Sequence, residues 1–112
     1  MKSLTEKQIK QIKDNTEFSI SLLTEHTHPQ DMLEDQESID KILSDLEWNE
    51  WAWTCVKVTA TFEGIEGTDY LGCCSYENEK DFISCGYYED MKAQAMEELL
   101  KKIESLQIAI NA

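Results

Sequence analysis

Residues 51–62, WAWTCVKVTATF, carry a two-residue alternation that constrains the fold more than any other stretch of the chain. Such alternation is typical of a β-strand, but a strand with one face in water normally keeps that face polar. Here one set of positions is mostly small or apolar, and the other begins with Trp51 and Trp53. We therefore expect a helix of the chain to cover one face, and either the N-terminal helices or a partner to cover the other.

The residues after this strand predict an antiparallel hairpin. Residues 63–66, EGIE, are typical of a short loop, and the return strand spans residues 68–76. Matching of apolar faces sets the register, with Phe62 opposite Gly67. The further expected pairs are Val58 with Leu71, Val56 with Cys73, Cys55 with Cys74 and Trp53 with Tyr76. A polar turn then leads to a short third strand at residues 81–85.

Three other segments repeat apolar residues at helical spacing. Ser3 and Glu6 have the spacing of a capping box, and the stripe that follows predicts a helix over residues 4–24. Pro29 suits the first position of a second helix, which ends near residue 47. The third helix spans residue 87 to about residue 108. Its apolar stripe is Tyr88, Met91, Ala95, Leu99, Ile103 and Leu106.

These elements predict an α+β fold. Two N-terminal helices precede a three-stranded antiparallel β-meander, and a long C-terminal helix packs on the sheet. A length of 112 residues suits a single domain. We expect residues 1–49 to form a helical acidic part of that domain, and residues 50–112 to form the β-β-β-α part.

The charge of the chain restricts its partners. It has 23 acidic residues, 10 lysines and no arginine, for a net charge of −13. Nucleic-acid-binding proteins neutralise phosphates with clustered Lys and Arg, so this charge argues against nucleic-acid binding. Residues 25–50 carry a net charge of −8 and residues 63–90 carry −7. Such acidic blocks either keep a protein in solution or imitate the phosphates of a nucleic acid.

No pattern of residues predicts an enzyme, a metal site or a cofactor. The sequence has neither a glycine-rich phosphate loop nor a G-x-S-x-G motif. Its four cysteines and two histidines lack the paired spacing of zinc sites, and the adjacent Cys73 and Cys74 would point to opposite faces of a strand. We expect the cysteines to be packed free thiols. No catalytic, cofactor-binding or metal-binding residue is assigned.

The sequence predicts a cytoplasmic protein. It has no run of about 18 apolar residues that would span a membrane. The start, MKSLTEKQIK, lacks the apolar core of a secretory signal. If a phage encodes the protein, the cytoplasm is that of the host cell.

Three segments carry a resemblance to known proteins. At WAWTCVKVTATF, DYLGCCSY and GYYEDMKAQAMEELLKKI the chain resembles small uncharacterised proteins encoded by phages and prophages. The order of three strands and a helix is also similar to that of the double-stranded RNA-binding domain. That family binds RNA with a basic cluster at the start of its last helix, where this chain has Tyr87, Tyr88, Glu89 and Asp90. A phage origin implies an inhibitor directed at the host.

The leading hypothesis is a small acidic protein, not an enzyme, that binds and inhibits a host protein. It would act as a nucleic-acid mimic of the anti-CRISPR or anti-restriction type on a partner that itself handles nucleic acids. The acidic helix would steer association, and aromatic side chains would anchor the complex if exposed. The predicted partner-binding residues are Asp31, Glu34, Asp35, Glu37, Asp40, Trp51, Trp53 and Tyr76.

Two alternatives remain open. The aromatic face could be the two-fold interface of a homodimer, which would make the chain a self-associating structural domain. The other alternative is a nucleic-acid binder like the double-stranded RNA-binding domain, with lysines gathered into a patch.

Overall fold

The chain folds as an α+β protein, in agreement with the class predicted from its sequence. The computed structural model describes residues 4–111, with side chains described through residue 107. The helices are α1 (Glu6–Asn15), α2 (Pro29–Met32), α3 (Gln36–Leu46), α4 (Glu79–Ser84) and α5 (Tyr87–Asn111), with a short 3-10 helix at Glu50–Ala52. The strands β1 (Glu17–Leu23), β2 (Thr54–Phe62) and β3 (Ile65–Cys74) form one antiparallel sheet in the order β1-β2-β3.

The predicted helix over residues 4–24 is wrong beyond Asn15, because residues 17–23 form β1. The capping box lies at Thr5 and Gln8, whose side chains each bond the other residue's backbone N–H. The Thr16 hydroxyl donates to the carbonyl of Ile12 at 2.6 Å, and the chain becomes extended at Thr16. The next segment, EFSISLL, has apolar residues at every second position, which favours a strand over a helix.

The predicted second helix is two helices. Pro29 occupies the first turn of α2 as expected, and His28 caps it by accepting from the N–H of Gln30 at 3.1 Å. Leu33 is extended, and α3 begins after Asp35. The Asp35 carboxylate accepts a hydrogen bond from the Ser38 hydroxyl at 2.6 Å. This bond joins two side chains across the first turn of α3.

The hairpin between β2 and β3 turns over two residues, so the predicted four-residue loop is wrong. Glu63 and Gly64 both have positive φ, 50° and 78°, as a type I′ turn requires. Phe62 therefore faces Ile65 instead of Gly67. The other predicted pairs move by the same two residues: the backbone N–H of Tyr76 donates to the carbonyl of Trp51 at 2.8 Å, where Trp53 was expected. A shift of two leaves each side chain on its predicted face.

The predicted third strand at residues 81–85 is also wrong, because Glu79–Ser84 forms α4. Asn78 caps this helix by accepting from the N–H of Asp81 at 2.9 Å. The Asp81 carboxylate in turn accepts the N–H of Glu77 at 3.0 Å. An asparagine N-cap favours the start of a helix, and α4 places Phe82 in a fully buried position.

Contacts between residues divide the chain into two compact units. The first unit comprises residues 1–19, 58–69 and 90–112, and the second comprises residues 20–57 and 70–89. In the first, α5 buries most of its predicted stripe, although Leu106 is exposed. Gly67 lies against this helix so closely that an added Cβ would be 2.2 Å from the carbonyl oxygen of Ala95. The buried apolar residues of the first unit are Ile12, Val58, Ala60, Met91, Ala95, Met96, Leu99 and Ile103.

The second unit has a smaller core with a large aromatic share. Phe82 is its largest fully buried side chain. Its buried apolar residues are Ile39, Ala52, Trp53, Val56, Cys74 and Phe82. All eight residues predicted to bind a partner lie in this unit, and the site is described within it.

Candidate functional site

The second unit carries most of the net charge. It contains thirteen acidic residues and three lysines, which give −10 of the total of −13. This concentration of charge arises on folding, because the unit is assembled from two segments that are distant in sequence. Charge of one sign concentrated in one region produces a field that attracts the opposite sign.

The five predicted acidic residues are exposed on α2, on α3 and between these helices. Two of them make local bonds: Asp35 accepts from Ser38, and Asp40 accepts from the Gln36 amide at 2.8 Å. The hydrogen bond from Ser38 lowers the pKa of the Asp35 carboxyl. The other three are Asp31, Glu34 and Glu37. All five are exposed, and we call the exposed part of α2, of α3 and of the segment between them the α2–α3 surface.

Trp53 does not present its indole to solvent. It is only 8% exposed, and its Nε1–H donates to the carbonyl of Thr27 at 2.7 Å. A buried indole with a satisfied N–H stabilises its surroundings. Trp53 therefore belongs to the core of the second unit and not to a contact surface.

Trp51 and Tyr76 are half-buried in a cluster of aromatic rings. The ring of Phe82 lies 5.7 Å from that of Trp51 and 5.3 Å from that of Tyr76, between centroids, and Tyr88 lies 5.9 Å from Phe82. These separations are typical of stabilising aromatic pairs. Burial raises the pKa of Tyr76. The predicted face of Trp51, Trp53 and Tyr76 is thus largely covered by residues of its own unit.

The most exposed tryptophan, Trp48, is not among the residues predicted from the sequence to bind a partner. Trp48 is 75% exposed and follows the C-terminus of α3, where its backbone N–H donates to the carbonyl of Asp45 at 3.1 Å. It falls between the predicted helix and the predicted strand, so no apolar stripe includes it. The signal in the sequence is an indole within the acidic run of Asp45, Glu47 and Glu50.

Trp48 lines a cleft of about 450 Å³, which we call the Trp48 cleft. Asn49 fixes one side of it, because its amide donates to the carbonyl of Glu77 at 2.9 Å and accepts from the N–H of Trp51 at 3.1 Å. The lining carries three carboxylates and one lysine, for a net charge of −2. The lining residues are Lys41, Asp45, Trp48, Asn49, Ala52, Ser75, Tyr76, Glu77, Asn78 and Asp81.

The lysine of the cleft is already paired. Lys41 Nζ lies 2.6 Å from Asp45 Oδ2, and this hydrogen bond, with the negative charge of Asp45, raises the pKa of Lys41. Glu77 and Asp81 are both exposed. A carboxylate offers about four acceptor positions, and that of Asp81 uses one of them for the N–H of Glu77. The cleft can therefore accept further hydrogen bonds from a cationic donor.

Three thiols of the second unit, those of Cys55, Cys73 and Cys74, are not activated. Burial raises the pKa values of Cys55 and Cys73, and raises that of Cys74 to about 11. A nucleophilic cysteine needs a lowered pKa, so these three thiols stay protonated at neutral pH. Within residues 4–107, no group of three or more His, Cys, Asp or Glu side chains is placed to hold a metal ion. None of the helices in the described part of the chain is long and apolar enough to cross a membrane.

Comparison with known proteins gives this chain no relative. Neither a family model, nor a curated protein, nor a solved structure matches it.

Proposed function

We propose that this chain is a small acidic protein, not an enzyme, that binds a basic protein and blocks its nucleic-acid-binding surface. The observation that carries the proposal is the concentration of −10 net charge in one compact unit. If the chain is encoded by a phage, the partner is a host protein that handles nucleic acids.

The α2–α3 surface would supply the long-range part of the interaction. Its five carboxylates are exposed, and none of them has a lysine partner among the ion pairs found in the described residues. Unpaired surface charges steer an oppositely charged partner and raise the association rate. The same charges make the affinity fall as salt rises, as it does for a protein that binds a nucleic acid.

The proposal is tested by capture of the partner from a nuclease-treated host lysate with the tagged protein. The test variant carries Asp31→Asn, Glu34→Gln, Glu37→Gln and Asp40→Asn, and keeps Asp35 because it bonds Ser38 at the start of α3. We expect it to bind the captured protein at least tenfold more slowly, with a weaker dependence on salt.

A matched control removes four acids from the first unit: Asp14→Asn, Glu63→Gln, Glu66→Gln and Glu97→Gln. All four are exposed, so the total charge changes equally in the two variants. The control should associate at nearly the wild-type rate. Equal effects of the two variants, or capture of a partner without a nucleic-acid-binding surface, would contradict the proposal.

Self-association is a second candidate, supported by exposed leucines in the second unit. Leu23, Leu43 and Leu46 are each about two-fifths exposed, and two of them line a second cavity of about 230 Å³. Adjacent exposed apolar residues are typical of interfaces. Sedimentation should then show a dimer that Leu46→Lys converts to a monomer. A wild-type monomer at high concentration excludes this candidate.

Nucleic-acid binding has less support. Its only basis is the likeness to the double-stranded RNA-binding domain, whose element order lacks the helices that this chain has between β1 and β2 and between β3 and α5. At the start of α5, however, Glu89 and Asp90 stand where that family carries its basic cluster. Carboxylates there repel phosphate, so a gel shift at low salt should show no binding.

A further inference from the structure

The geometry points to the Trp48 cleft as a binding site for an arginine side chain of the basic partner. The inference rests on the proposed function and names the group that the partner would present. Three observations carry it: an exposed indole, a concave surface, and a net negative lining.

The exposed indole is the first of these. Trp48 is exposed on three-quarters of its surface, whereas Trp53 is buried and Trp51 is packed against Phe82. Exposure of one large aromatic ring beside a cleft is typical of a contact residue. The face of an indole attracts cations more strongly than any other aromatic side chain, and arginine is the usual partner.

The carboxylates make the cleft selective for a cation. Lys41 is held by Asp45 at 2.6 Å, which leaves Glu77 and Asp81 as the charged acceptors beside Trp48. A guanidinium can stack on an indole and at the same time donate paired hydrogen bonds to a carboxylate. An ammonium is a point charge and cannot do both as well, so the arrangement favours arginine over lysine.

The size and rigidity of the cleft also suit a side chain. Its volume of about 450 Å³ lies within the range of ligand-binding pockets. The side chain of Asn49, which lines the cleft, is held by hydrogen bonds to the backbone of Glu77 and Trp51 before any ligand arrives. A preformed site loses less entropy on binding.

The test uses the full-length protein, labelled with ¹⁵N, and the tripeptide acetyl-Gly-Arg-Gly-amide. The chain has three tryptophans, so its spectrum has three indole N–H signals, and Trp48→Phe assigns one of them. The arginine peptide should shift the Trp48 signal with a dissociation constant on the order of 1 mM. The peptide with citrulline, which has the same shape without the charge, should bind at least tenfold more weakly.

Variants separate the cleft from the general acidity of the unit. Trp48→Ala and Glu77→Gln should each weaken binding of the arginine peptide about fivefold or more, measured at the side-chain amide signal of Asn49 in the cleft, because Trp48→Ala lacks the Trp48 indole. The matched control is Glu47→Gln, which removes the same charge next to Trp48 in sequence but does not line the cleft, and it should leave binding unchanged. The signals of Trp51 and Trp53 report whether each variant is folded.

Several outcomes would overturn the inference. Equal shifts with arginine and citrulline peptides would do so, as would equal losses with Glu77→Gln and Glu47→Gln. The α2–α3 variant could lose the captured partner while Trp48→Ala binds it normally. That result would support the proposed function and contradict the arginine-binding site. If the peptide binds as expected but no basic protein is captured, the result would support an arginine-binding cleft and contradict the proposed function.

Discussion

The carboxylate of Glu25 accepts the backbone N–H of Cys73 at 2.6 Å, although 48 residues separate them. The same carboxylate accepts the N–H of Thr27 at 3.1 Å. Cys73 needs this partner because its φ of +54° places it in the left-handed region, which is unfavourable for a residue other than glycine. Glu25 thus connects the C-terminal end of β3 with the segment that follows β1.

Acid should weaken this connection. The hydrogen bond from Cys73, followed by that from Thr27, lowers the pKa of Glu25 below its usual value of 4.5. A lowered folded-state pKa contributes stability above pH 4.5, and the contribution is lost as pH falls through the folded-state pKa. We expect Glu25→Gln to reduce the free energy of unfolding by about 1 kcal/mol at pH 7, and by less at pH 3.

Urea unfolding at the two pH values measures this difference. Glu50→Gln, an exposed acid of the same unit, serves as the control and should show little effect at either pH. A loss for Glu25→Gln that is equal at pH 7 and pH 3 would show that the charge plays no part.

Gly67 should tolerate no side chain. A Cβ there would lie 2.2 Å from the Ala95 carbonyl oxygen and 2.4 Å from the Leu99 backbone nitrogen, so α5 would have to move. We expect Gly67→Ala to lower the free energy of unfolding by about 3 kcal/mol. At Gly64 an added Cβ meets no atom within 4 Å, but φ is +78°. Gly64→Ala should therefore lower the free energy of unfolding by only about 1 kcal/mol. Thermal unfolding compares the two variants. Similar losses for both would contradict the packing of α5 against Gly67.

The hairpin turn offers a stabilising change. Glu63 has a φ of +50°, and asparagine adopts that conformation more readily at the first position of a type I′ turn. Glu63→Asn should raise the free energy of unfolding by about 0.5 kcal/mol. The control is Glu66→Asn, which lies in β3 and should not stabilise. A four-residue loop would give no such contrast in chemical denaturation.

The tryptophans should differ in their importance for folding. Trp53→Phe leaves the carbonyl of Thr27 without its donor and creates a cavity, so we expect a loss of about 2 kcal/mol. Trp48→Phe alters an exposed side chain and should change stability by less than about 0.5 kcal/mol. Unfolding followed by far-ultraviolet circular dichroism compares the two directly, and equal losses would contradict the burial of Trp53.

The thiols should react in an order set by exposure. Cys85 is exposed, whereas Cys74 is buried and its pKa is raised to about 11. Because the thiolate is the reactive form, Ellman's reagent at pH 8 should modify Cys85 first and Cys74 last. The rate at Cys74 should continue to rise as pH approaches 11. Single Cys→Ser variants identify each phase, and early reaction of Cys74 would contradict its burial.

The sequence predicted those elements whose periodicity had one interpretation. The stripe of α5 and the alternation of β2 each extend over many residues, so local preference and burial agree. Residues 17–23 were ambiguous, because Ile20 continues a helical stripe from Ile12 and also alternates with Phe18 and Leu22. The short segment 81–85 was assigned to a strand because the capping by Asn78 was not recognised.

The sequence predicted the negative charge of the candidate site but not its cleft or its exposed tryptophan. The exposure of the five acidic residues could be expected, because charged side chains on helices and connecting segments normally lie in water. Trp48 was missed because the exposure of a single aromatic residue depends on what packs around it. That packing is tertiary: the residues that line its cleft come from segments about 30 positions apart.

The exposure of Trp48 within a unit of net charge −10 makes its indole a probe of local electrostatic potential. A neutral quencher of fluorescence such as acrylamide should reach it freely. Iodide should quench it less than its exposure implies and caesium more, because the unit repels anions and concentrates cations. The quenching constants of iodide and caesium should become equal as salt is added. The ratio of these constants at low salt therefore measures the electrostatic field that an approaching partner would meet.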